Sequence, residues 1–214
     1  MIAVIQCASS KRPEAGYLRT GDGRRVTFVA DPSRASADPH TVYARPDDRS
    51  DRGKTWRELL LQYNDAPANN PLGLLPAYRL YRPPEYARLA AHVGIDRMYV
   101  LSAGWGLIRG DFLTPDYDIT FAGNAAAWKR RRLSDRYKDF AMLPDGEDVV
   151  FFGGAAYLPL FCRLTSGFKA KRTVFFKAVL PPGAPGCVLC RYDTRRCTNW
   201  HYSCVDDYVS GKLE

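Results

Sequence analysis

Long apolar runs are missing from this 214-residue chain. None approaches the roughly 20 residues that a bilayer-crossing helix requires, which argues against a helical membrane protein. The first residues, MIAVIQCASSKRP, lack a basic leader and an apolar signal core, so a cytoplasmic protein with no membrane partner is expected. Internal repeats and low-complexity tails are lacking too, which excludes a repeat array. The glycine spacing of a Walker A loop does not occur, so a P-loop nucleotide site is excluded. Histidine is scarce, with three in all.

What is present suits one α/β domain over residues 1–214, with 46% hydrophobic and 25% charged residues. The formal charge is +8 and the pI about 9.2, which favours an anionic partner such as nucleic acid. Six Lys or Arg stand against one Asp between Trp128 and Lys138, led by Lys129, Arg130, Arg131 and Arg132. A second basic stretch runs from Arg163 to Arg172. Such blocks track a phosphate backbone or form a solvated basic face. Thirteen tyrosines add stacking capacity.

Four short apolar runs, Ile2–Gln6, Arg97–Ser102, Asp148–Phe152 and Thr173–Ala178, read as strands buried on both faces of a parallel sheet. Helical patterns lie between them: Trp56–Asn64, Ala77–Val93 broken at Pro83-Pro84, a basic amphipathic helix over Ala125–Phe140, and Ala155–Leu164. The expected fold is a three-layer αβα sandwich with a small, mostly parallel four-strand central sheet. Residues 16–55, with one β-like run at Arg25–Ala30, read as an insertion or lid over the sheet edge. Residues 183–207 form a Cys-rich C-terminal segment.

In open α/β sheets, ligands bind beyond the carboxyl ends of the strands. Three distinctive turns fall there: CASSK (Cys7 to Lys11), SAGWG (Ser102 to Gly106) and GGAAY (Gly153 to Tyr157). Their convergence on one rim points to a ligand site. Ser10 and Lys11 suit a phosphate-holding turn or an ordinary strand-to-helix turn, and Cys7 is a nucleophile or an inert buried thiol. Gly104, Gly106, Gly153 and Gly154 let backbone approach a ligand, with Trp105 as a stacking surface or a core residue. Asp116 and Asp118 flank Tyr117, as carboxylates that activate water or stabilise a cationic sugar, or as plain surface residues. In YARPDD, Arg45 paired with Asp47 or Asp48 reads as a loop ion pair or as a catalytic arginine and carboxylate pair.

The segment CVLCRYDTRRCTNWHYSC begins with the Cys187–Cys190 spacing of a metal knuckle. Six residues separate Cys190 from Cys197 and Cys197 from Cys204. Four sulfurs, or three with His201, have the composition of one structural Zn²⁺ site; reduced thiols are the alternative. No organic cofactor is expected. Asn199 and His201, beside Trp200, suit base contact or water orientation as well as packing.

The stretch LSAGWGLIRGDFLTPDYDITF resembles the signature of the YaaA-like family and its shorter relatives. The counterparts are Cys7–Lys11, Leu101–Leu107 and Pro115–Asp118, with Lys11, Ser102, Gly106, Tyr117 and Asp118 at matching positions. The resemblance does not reach residues 16–55 or the Cys-rich segment. It implies an α/β protein associated with DNA and peroxide stress. Together these features lead to a nucleic-acid-acting enzyme, a glycosylase-like hydrolase that removes a damaged or modified base. The alternatives are a DNA-binding stress protein without catalysis and a hydrolase or transferase for free nucleotides.

Overall fold

The computed structural model describes residues 1–213. A central sheet is built from β1 (Ile2–Gln6), β5 (Met98–Ser102), β6 (Gly106–Arg109), β9 (Phe140–Ala141), β10 (Val149–Phe152), β11 (Arg172–Phe176) and β12 (Val188–Arg191). A second sheet holds β2 (Arg25–Val29), β3 (Thr41–Ala44) and β8 (Tyr117–Asp118), while β4 (Leu75–Pro76) pairs with β7 (Leu113–Thr114). The α-helices are α1 (Trp56–Tyr63), α2 (Ala77–Leu80), α3 (Glu85–Val93), α4 (Leu158–Leu164) and α5 (Trp200–Val209). No helix among the described residues is long and apolar enough to cross a membrane.

The four expected strands are adjacent and mutually parallel, in the order β11-β10-β1-β5. β1, β5 and β10 are buried almost throughout, as strands covered on both faces must be. The expected four-strand sheet is therefore the middle of a seven-strand one. β12 adds a parallel edge, β6 returns antiparallel to β5, and β9 pairs with β6. Phe151 stacks on Phe161 of α4 with centroids 4.5 Å apart, while Phe152 meets Tyr208 of α5 at 5.1 Å. Successive strand residues face opposite ways, so α4 and α5 cover opposite faces and the fold has three layers.

The chain leaves β1, builds β5 on one side of it, and later returns to build β10 on the other. β1 thus borders a topological switch point, where an open sheet leaves a crevice at its carboxyl end. Local sequence explains the helices. Thr55 and Glu58 form a reciprocal capping box at the start of α1. Pro83-Pro84 separates α2 from α3, as expected.

Two regions depart from expectation. Part of residues 16–55 is built into the core, Leu18, Val26, Phe28, Val29, Ala30 and Ala44 being buried, while residues 21–24 and most of 33–40 lie exposed. β2 is the middle strand of its sheet, and Val26 and Phe28 are wholly buried. Phe28 meets Trp105 edge-on at 4.9 Å. The basic helix over 125–140 does not form. Its backbone groups bond to other segments: the Trp128 carbonyl accepts from the N–H groups of Ala30 and Asp31, and Thr120 exchanges bonds with Lys129 and Arg131. Four consecutive cations give such a helix little support, and burying Arg131 draws the chain inward. In the Cys-rich segment, β12 and α5 form where no element was expected.

Candidate functional site

The three turns do converge. Cys7, just past β1, has its thiol 3.2 Å from the Tyr157 hydroxyl and accepts the Ala103 N–H at 3.4 Å. Gln6 Oε1 accepts the Gly154 N–H at 2.7 Å. CASSK is also tied to the end of α2, because the Ser10 carbonyl accepts the Arg82 N–H and Lys11 bridges to Tyr81.

The floor of the site is a chain of neutral hydroxyls. Ser102 Oγ accepts the N–H groups of Gly104 and Trp105 at 3.2 and 3.1 Å. Its own proton therefore goes to the Tyr117 hydroxyl, 2.9 Å away. Tyr117 in turn lies 2.8 Å from the Tyr81 hydroxyl. The Tyr86 hydroxyl donates to the Gln6 carbonyl at 2.5 Å, and its ring meets Tyr202 of α5 edge-on. Burial raises Tyr81, Tyr86, Tyr117 and Tyr157 well above the usual tyrosine pKa and Tyr202 to about 12, so all remain phenols at neutral pH.

The turn at residues 103–105 is held from beneath by two buried arginines. Arg57, on α1, donates to the carbonyls of Gly104 and Trp105, each at 3.0 Å, while Asp47 takes its Nε at 2.6 Å. Arg131 donates to the Ala103 carbonyl at 2.8 Å and grips Asp139 with both terminal nitrogens at 2.8 and 2.7 Å. All three carbonyls of the turn are thereby occupied. Gly106 completes the hairpin at φ 87°, where a Cβ would lie 2.6–2.7 Å from Phe140 backbone and the Asp139 side chain. Gly153 is required for a similar reason: a Cβ there would sit 2.3 Å from the Phe151 ring.

The rim carries the charge. Lys11 Nζ lies 4.2 Å from the centre of the Tyr117 ring. Burial lowers its pKa below the usual lysine value; Cys7, Asp116 and Asp118 pull it back up, and Lys129 lowers it. Asp118 pairs with Lys129 at 2.7 Å and Asp116 with Arg25 at 2.9 Å, all four side chains being about a third exposed. Beyond them lies a polar cleft of about 190 Å³ that brings Arg45 together with Arg130 and Arg132, and with Arg34. Asp31 neutralises Arg34, and Asp135 accepts the Arg132 backbone N–H. Partly exposed Trp128, 6.0 Å from Tyr43 ring to ring, stands next to Lys129.

Several expected roles change. Trp105 is wholly buried and Tyr117 nearly so, so neither offers an open face to a base. Arg131 is spent on Asp139 inside the protein and is not available to a phosphate. Asp47 anchors Arg57 and the Lys138 N–H, and the Arg45 backbone N–H caps on Asp48. His201 is buried on α5 against Tyr202; burial first and the Arg196 charge second hold its pKa down at about 4. Asn199 starts that helix in a left-handed conformation, without a side-chain cap.

The four cysteines do not gather into one cluster, although Cys204, its pKa raised by burial and by Asp207, lies near enough to Cys190 to be raised further. Cys187 sits beside Cys162, whose thiol is raised to about 11 by burial and by that neighbour. Cys204 is fully buried, and Cys197 lies on the surface against the Arg195 carbonyl. Among the described residues no three His, Cys, Asp or Glu come together as a ligand group, so no chemistry is assigned to zinc.

Sequence reasoning missed Arg57, Arg131 as a buried anchor, Tyr81 and Asp139. One signal existed for Arg57: it directly follows Trp56 at the start of a helix whose buried face is Trp56, Arg57 and Leu60. Comparison with protein-family models, with curated proteins and with solved structures returns no match. The likeness to the YaaA-like family rests on the three short motifs alone.

Proposed function

We propose that this site hydrolyses the N-glycosidic bond of a damaged or modified nucleotide in DNA. One observation carries the reading. Asp118 stands on the charged rim of a buried aromatic floor, at the carboxyl ends of the parallel strands, with Asp116 and Lys11 in the same electrostatic neighbourhood. Losing a base leaves positive charge on the sugar, and a carboxylate on one face stabilises that charge or activates the attacking water. Asp118 takes this role, with Lys129 fixing its direction. The hydroxyl floor and the two arginines keep the turn rigid, so the rim needs little reorganisation during reaction.

Arg45, Arg130 and Arg132 hold phosphates beside the flipped nucleotide. Stacking falls to Tyr43 and Trp128, partly exposed and close in sequence to Arg45 and Arg130, with Lys129 over the Trp128 ring at 4.6 Å, and not to Trp105 or Tyr117. The test is mass spectrometry of bases released from undamaged, damaged and naturally modified DNAs. A free base that disappears with Asp118→Asn supports the reading, and full release by that variant sinks it. The arginine cleft also favours a second reading, DNA binding without chemistry. That reading expects salt-dependent affinity indifferent to Asp118 and no released base.

A further inference from the structure

Removing a base from DNA exposes a sugar whose C1′ is a masked aldehyde, and the rim holds a group suited to it. Lys11 sits on CASSK directly beyond β1, and its nearest partner is the flat face of Tyr117. The nearby carboxylates have other partners: Asp118 holds Lys129, and Asp116 holds Arg25. Only burial and through-space charges act on the Lys11 amine, with no hydrogen bond among them. The residue is half-buried, and its amine nitrogen is not among the fully enclosed polar atoms that lack a partner. A structural lysine would be engaged by a hydrogen-bond acceptor; this one is desolvated with only an aromatic face beside it.

We propose that Lys11 is a nucleophile that forms an imine with C1′ of an abasic deoxyribose, giving the protein a strand-cleaving lyase activity. The proposal rests on the DNA reading of the site and does not require this chain to have removed the base itself. The neutral amine adds to the aldehyde carbon, and the resulting carbinolamine loses its hydroxyl as water. A protonated imine remains and acidifies the C2′ position. The C2′ proton passes to Asp118, the electron pair forms the C2′–C3′ double bond, and the C3′–O bond breaks with its electrons leaving on the phosphate. Water then hydrolyses the imine and frees Lys11. Desolvation serves this sequence because more of the amine is unprotonated near neutral pH than for a free lysine.

Sodium borohydride tests the step, since it reduces an imine to a stable secondary amine. The full-length protein is incubated with a duplex carrying a preformed abasic site, reduced, and resolved on a denaturing gel, and the modified peptide is located by mass spectrometry. The expected result is a covalent protein–DNA species attached at Lys11, lost in Lys11→Met and in Lys11→Arg, which keeps the charge but forms no reducible imine. Attachment at another residue such as Lys129, or no trapped species with the wild-type protein, overturns the proposal. Mapping the adduct on the wild-type protein keeps the test valid even if a variant misfolds. Trapping on abasic DNA without base release from intact DNA retains the lyase and removes the glycosylase. Base release without trapping leaves a simple hydrolase and removes the lyase.

Discussion

The floor and the rim of the site use polar groups in opposite ways. In the floor the hydroxyls and the turn carbonyls are engaged, with Trp105 Nε1 and Arg131 Nε as the unpartnered donors: Ser102 accepts two N–H groups and donates to Tyr117, while Arg57 and Arg131 occupy the three carbonyls above them. On the rim, Asp116, Asp118, Arg25 and Lys129 form partly exposed pairs, and Lys11 has only an aromatic face beside it. A satisfied, buried network rigidifies and costs a great deal to break, whereas exposed pairs contribute about 0–1 kcal/mol and exchange partners readily. The floor thus sets geometry, and the rim is free to act on a ligand. Mutations should separate the two.

The largest effect is expected below the floor. Arg131→Leu leaves the Asp139 carboxylate, 2% exposed, with only Arg163 as a partner. Such a loss costs about 3–5 kcal/mol, and urea unfolding should place the variant near the low end of that range because Arg163 remains. Next is pH. His201 binds its proton less readily folded, at about 4, than unfolded, at 6.5. The unfolded chain therefore takes up more protons in that window, and stability falls as pH drops from 6.5 to 4, by about 3 kcal/mol in total. Above 6.5 His201 contributes no slope. His201→Gln should flatten the pH dependence of urea unfolding in that window, and an unchanged slope would show that another group is responsible.

Tyr117→Phe removes the acceptor of the Ser102 proton and the partner of Tyr81, a loss of about 1–3 kcal/mol. The melting temperature should fall accordingly. Asp118→Asn and Lys11→Met sit at the small end, within about 1 kcal/mol of wild type: the Asp118–Lys129 pair is partly exposed and contributes little, and Lys11 makes no hydrogen bond or ion pair to lose. Their effect should appear in activity. Smaller still for folding, Arg130→Gln with Arg132→Gln should leave stability unchanged but make DNA affinity less sensitive to salt, measured as the slope of log affinity against log salt.

The same division explains what could be read from the sequence. The four central strands were legible because burial on both faces leaves a continuous apolar run, and α1, α3 and the break at Pro83-Pro84 because periodicity and proline are local signals. The convergence of Cys7, Ser102 and Gly153 followed from their positions at strand ends. Charged residues misled. Arg57 and Arg131 look like surface residues because the carboxylates that let them be buried, Asp47 and Asp139, come from other segments. The run from Trp128 to Arg132 suggested a helix face, yet its long-range backbone bonds go to residues 30, 31 and 120. Asp118 lies on β8, which pairs with β2 some ninety residues away, and no local pattern carries that pairing. The Cys-rich segment drew attention to metal spacing and away from β12 and α5.

The most direct measurement pairs base release with melting temperature for wild type, Asp118→Asn and Tyr81→Phe. A rigid floor under a chemical rim predicts that Asp118→Asn melts like wild type and releases no base. Tyr81→Phe, which loses only its bond to Tyr117, should melt lower and still release base while folded. Full release by Asp118→Asn, or a melting point depressed as far as that of Tyr81→Phe, would contradict the division and the role given to the rim.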